Sequence, residues 1–143
     1  MNKPRAVLAA SAVFLSAALV ASYFQFQQPT IKATEVFTWD CESAVYKPES
    51  ITLTCADGGW SLQQITWASW TEQGAEGTGT FTENLCKPSC SEGEFVKAKV
   101  KVKLSNLIVE QEKHYLRTMD IQTQDGKDFP WGRAGMIEWN LRD

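Results

Sequence analysis

Between Phe95 and Leu104 apolar and polar residues alternate without a break. Val96, Ala98, Val100, Val102 and Leu104 interleave with Lys97, Lys99, Lys101 and Lys103. Period two places one set on the buried face of a β-strand and the other on its polar face, with successive lysines roughly 6.7 Å apart. A helix would scatter the same lysines around its surface. Shorter stretches repeat the pattern. Ile51, Leu53 and Cys55 alternate with Thr52 and Thr54, and Ser61 to Trp70 carries Leu62, Ile65, Trp67 and Trp70. Thr78 to Thr82 holds Phe81, Tyr115 to Thr123 continues the series, and Ile137, Trp139 and Leu141 close it. Asp57-Gly58-Gly59 and Asp125-Gly126 supply turns, and Gly74, Gly77 and Gly79 read as a broken loop. Ser105 to His114 fits either a hairpin or a short helical turn. Trp67 and Trp70, three residues apart on one strand, are expected on opposite faces. The pattern predicts an all-β domain: a small disulfide-stabilised β-sandwich or barrel of six to seven antiparallel strands, in which paired layers cover the alternating faces. No long helix is expected after the amino terminus.

The amino terminus breaks this pattern. Lys3 and Arg5 precede Ala6 to Ser22, a stretch without charge, and Val20-Ala21-Ser22 places small residues where a signal peptidase cuts. The rival reading is an uncleaved signal-anchor helix running to about residue 26, since a span needs roughly 20 apolar residues. Either way the carboxy-terminal part crosses the membrane, because the positive end stays inside. The expected organisation is a signal peptide over 1–22, a linker over 23–36 containing Pro29, and an exported β domain over 37–143.

Cleavage would remove two of the 14 basic residues and none of the 17 acidic ones, so the exported part is more acidic than the whole chain at −3. Such a domain has no general attraction for nucleic acid, and that class of partner is excluded. Membrane contact is expected only through the amino-terminal segment, if it is retained. Cys41, Cys55, Cys86 and Cys90 all follow the leader, and an even count in a small exported domain reads as two disulfides. Three pairings exist. Cys41–Cys55 with Cys86–Cys90 is favoured, because Cys86-Lys-Pro-Ser-Cys90 bends the chain enough to bring its cysteines within bridging range. A four-cysteine zinc site would need more regular spacing. The expected location is therefore secreted or on the outer face of the cytoplasmic membrane.

Several strings together carry a resemblance. They are Cys55-Ala56-Asp57-Gly58-Gly59, Trp67-Ala68-Ser69-Trp70, Gly77-Thr78-Gly79-Thr80, and Asn84-Leu85-Cys86-Lys87-Pro88-Ser89-Cys90-Ser91-Glu92-Gly93. Over roughly Tyr46 to Leu104 the chain resembles a family of small, uncharacterised secreted actinobacterial proteins. Ser91 stands where alanine is commoner, and the last third matches loosely. The resemblance implies export and a β fold, and it hands over no active site.

Candidate chemistry is sparse. His114 is the sole histidine, and no Gly-x-Ser-x-Gly elbow places a nucleophile, so a serine triad has nothing to build on. No cofactor motif and no metal-ligand series stands out; Asp125-Gly-Lys-Asp128 lacks the donors calcium requires. Asp57, Glu72, Glu76, Asp125 and Asp128 are the acids a small extracellular hydrolase would draw on, and each also has an ordinary role in turns or at the surface. Trp60 and Trp131, placed by the sequence in a turn and a loop, are candidate stacking residues for wall polysaccharide; core filling is the alternative. Lys97, Lys99, Lys101 and Lys103 form a second candidate surface, for anionic polymers or headgroups. A plain solvated face or a guarded sheet edge would explain the same row. The sequence thus points to an exported non-catalytic domain, binding or structural, at the cell envelope or outside the cell. A small hydrolase is the alternative.

Overall fold

Strands fill most of residues 31–142, the part of the chain that the computed structural model describes. The expected leader, its cut site and any anchor lie outside those residues. A 3₁₀ turn at Ala33–Glu35 leads into β1 (Val36–Asp40), followed by β2 (Ser43–Val45), β3 (Ile51–Thr52), β4 (Trp60–Thr71), β5 (Gly74–Asn84), β6 (Phe95–Glu110), β7 (Lys113–Thr123) and β8 (Met136–Asn140). No helix among the described residues is long and apolar enough to cross a membrane. Residues ahead of 37 share in the core: Val36 is fully buried, and Ile31 and Ala33 pack on it.

The strands form one sheet in the order β2-β1-β7-β6-β5-β4-β3, with β8 also paired to β7. Of the two forms expected, sandwich or barrel, the single curled sheet is the barrel-like one. A single sheet curls into a half-barrel and covers its own apolar face, so a second layer is unnecessary. Eight strands stand where six or seven were expected. Neighbours are antiparallel except β1 and β7, which run parallel through Val36↔His114 and Phe37↔Tyr115. Ser105 to His114 resolves as a hairpin, with β6 running straight through to Glu110.

The inner face holds Leu62, Phe81, Val100, Val102, Leu104, Met119 and Ile121, all essentially inaccessible to solvent. Trp67 and Trp70 both reach this side of the sheet, contrary to the expectation from their spacing. A register shift between Trp67 and Ser69 inserts an extra residue, which restores Trp70 to the inner face. Their rings meet edge-on at 4.9 Å. The glycines expected in a loop instead lie within β5. A Cβ at Gly77 would stand 2.6 Å from the Thr66 carbonyl oxygen and 3.1 Å from the Trp67 ring. The close packing of β4 on β5 requires glycine there.

Side chains hold the curled sheet together where its strands do not pair. The Trp70 indole N–H donates to the Val36 carbonyl (2.9 Å), and the Trp67 N–H donates to that of Pro48 (2.9 Å). The Thr52 N–H donates to Asp40 Oδ1 (2.8 Å) beside the Cys41–Cys55 bridge, which joins the β1–β2 turn to the segment after β3. Cys86 and Cys90 form the second bridge, so the favoured pairing is the one present.

Candidate functional site

The outer face of the sheet collects the polar members of each alternation. Lys97, Lys99, Lys101 and Lys103 are all exposed there. Their surroundings differ. Lys101 lies between Thr78 of β5 and Gln122 of β7, whereas Lys103 lies between Glu76 and Asp120. Lys99 is tied down by hydrogen bonds to Thr80 Oγ1 (2.9 Å) and Gln64 Oε1 (3.5 Å). Lys97 and Lys99 precede the β7 pairing, so at these two positions lysine also guards a free edge. Lys101 and Lys103 have a strand on each side and guard nothing. Beside them a groove of about 640 Å³ crosses the sheet, lined among others by Thr66, Ala68, Thr78, Gln122 and Met136.

Trp60 and Trp131 lie elsewhere, on the inner side near the end of the half-barrel. Trp60 opens β4 rather than sitting in a turn. The Arg133 guanidinium covers its ring at 4.1 Å, and Phe81 and Trp139 abut it at 5.7 and 5.6 Å. Trp131 packs on Phe129 at 4.9 Å and donates its N–H to Glu83 Oε2 at 2.7 Å. Both rings are half-buried, and neither stands free as a stacking plate.

Glu83 organises this end, and nothing in the sequence singled it out. Its side chain is 6% exposed and accepts two hydrogen bonds from Arg133 as well as the one from Trp131. Burial pushes its pKa up. The hydrogen bonds from Arg133 and Trp131 and the Arg133 charge outweigh that and hold the carboxyl below its ordinary value. The pairing in turn raises the Arg133 pKa. Because the folded pKa is depressed, the stabilisation is complete above the ordinary carboxylate value and is lost as pH falls through the lower folded value. Urea denaturation is therefore expected to show stability rising between acid and neutral pH. Glu83→Gln should lose about 1.5 kcal/mol at pH 6 and flatten that rise. An unchanged pH profile would mean the pair contributes nothing.

Four of the five candidate acids bond to nearby or packed backbone. Asp57 Oδ1 accepts from Gly59 N (2.9 Å), which is the first cause of its lowered pKa, followed by Thr54. Asp125 Oδ1 accepts from Lys127 N, and Asp128 Oδ1 from Gly135 N (both 3.1 Å). Glu72 Oε2 accepts from Ile31 N (3.1 Å). Glu76 alone of the five lines the groove, where Asp120, which the sequence did not bring forward, joins it. Asp120 enters through register, being two strands from Glu76 across Lys103. His114 sits near the start of β7, half-buried opposite Val109. Among the described residues no cluster of histidine, cysteine, aspartate and glutamate could hold a metal ion. Two disulfides are consistent with an extracellular location. No family model, no curated protein and no solved structure matches this chain.

Proposed function

We propose that this protein is an exported, non-catalytic binding domain of the cell envelope, and that it meets an anionic polymer through the outer face of its sheet. One observation carries the reading: Lys101 stands exposed on a section of β6 paired on both sides, with no acid directly across either strand, at the edge of a groove. Edge protection does not account for a lysine there. Attraction of a phosphate- or carboxylate-bearing chain does, by Coulomb forces that salt weakens. The backbone engagement of Asp57, Glu72, Asp125 and Asp128 favours binding over hydrolysis.

Poly(glycerol phosphate), with dextran as the neutral control, tests this by intrinsic tryptophan fluorescence or calorimetry. Binding is expected at low salt and should weaken as salt rises. The double change Lys99→Gln with Lys101→Gln should cost about tenfold in affinity, at roughly 1 kcal/mol or less per lysine. Equal binding of dextran, or full affinity in the double variant, would remove the reading.

A further inference from the structure

Strand β8 leaves a row of peptide groups without partners. It pairs with β7 from Thr118↔Asn140 to Gln122↔Met136. Hydrogen bonds from Thr123 N to Gly135 O and from Leu141 N to Arg117 O, both 2.9 Å, bracket this register and fix its phase. In an antiparallel pair, hydrogen-bonded and non-hydrogen-bonded positions alternate. Ile137 and Trp139 therefore bond to β7, while the N–H and C=O groups of Met136, Glu138 and Asn140 point away from it. Among the described residues these outward groups meet no partner.

The other sheet edges are blunted. β3 has two residues, and its outward Thr52 N–H is taken by Asp40. β2 has three residues and is followed closely by Lys47 and Pro48. The unpaired flank at the start of β6 carries Lys97 and Lys99. Natural proteins block edges with short strands, lysine and proline in this way. β8 has five residues and neither lysine nor proline. At its Asn140 end the edge opens into a cleft of about 340 Å³ bounded by Cys41, Thr52 and Cys55.

Charge defines what fits. Asp120 and Glu138 face each other at a non-hydrogen-bonded position, where side chains stand closest and like charges disfavour the pair. Lys103 stands opposite Asp120 on its far side, but nothing basic lies opposite Glu138. A strand laid on β8 would place one residue directly across from Glu138. A second copy meeting β8 about a two-fold axis centred there would place Glu138 against Glu138, so self-pairing is disfavoured. We propose that β8 is an acceptor edge for an extended strand of another protein that sets a lysine or arginine opposite Glu138, adding itself to the sheet by backbone hydrogen bonds. Met136 also lines the groove beside Lys101, but the edge is argued from backbone groups and does not depend on the ligand of that groove.

Amide exchange on the isotope-labelled, oxidised protein tests this. In the free protein Met136, Glu138 and Asn140 should exchange quickly while Ile137 and Trp139 are protected. A capped peptide Thr-Val-Thr-Lys-Thr-Val-Thr, added to about 1 mM, should slow exchange at the three outward amides by about tenfold. The same peptide with central glutamate should bind about fivefold more weakly, and Glu138→Lys should reverse that preference. Glu138→Gln, which only removes charge, should bind both peptides alike. Unchanged exchange with the lysine peptide, indifference to the central residue, or prior protection through dimers seen by sedimentation would each overturn the proposal.

Discussion

Trp70→Ala is expected to cost about 4 kcal/mol of unfolding free energy, the largest loss from any single change considered for this molecule. Trp70 is 4% exposed, so truncation empties a large volume between β4 and β1. The ring also meets Trp67 edge-on at 4.9 Å and Tyr46 at 5.8 Å, and both contacts would go. Its N–H reaches the carbonyl of Val36, itself fully buried, so the change also removes a donor inside the core. Trp70→Phe separates these effects by keeping most of the volume, and should lose less than half as much. Urea denaturation followed by near-ultraviolet circular dichroism measures both. A cost below about 2 kcal/mol for alanine would show that the β1–β4 contact is peripheral to stability.

Replacing Cys41 and Cys55 together by serine should cost about 3 kcal/mol, because their separation of 14 closes a loop whose freedom the unfolded chain would regain. The Cys86–Cys90 bridge, with a separation of 4, should cost only about 2 kcal/mol by the same relation. The order matters more than the values. Should loss of the shorter bridge prove worse, native contacts of the Asn84–Glu94 loop, rather than chain entropy, would be what the disulfides protect. One such contact runs from Asn84 Nδ2 to the Cys90 carbonyl at 2.8 Å.

Much of the sheet was legible in the order of residues. The lysine alternation of β6 and the closing alternation of β8 occur where period two placed them, because a half-buried strand must show its pattern locally. β1 escaped notice for the opposite reason. Val36 to Asp40 is short, follows no turn signal and pairs in parallel with a strand some 78 residues on, so its identity depends on a distant partner. The bulge that turns Trp70 inward belongs to the pairing of β4 with β5 and cannot be read from β4 alone. Gly77 and Gly79 look like loop glycines until Trp67 and Ile65 are seen packed over them. A curled sheet and a sandwich impose the same alternation, which is why the pattern leaves sandwich and barrel both open. Of the candidate surface, the lysines were visible at once, whereas Asp120, Gln122 and Met136 reached the groove only through register. Glu83 and Arg133 are 50 positions apart, and no local pattern distinguishes a carboxylate that will be buried with a partner from one that will not.

The parallel seat of β1 on β7 also sets an order of assembly. From β3 to β8 each strand pairs with its sequence neighbour, so this meander can form as the chain lengthens. A polypeptide that emerges amino end first, from ribosome or translocation pore, delivers β1 long before β7 exists to receive it. Until then one flank of β1 lacks its partner and Trp39 lacks the Tyr115 ring, and that end is held by β2, the Trp70 hydrogen bond and the nearby sulfur bridge. The completed protein therefore waits on its last third, and the interval is when a holding factor, or a misdirected neighbour, would find the first strand vacant.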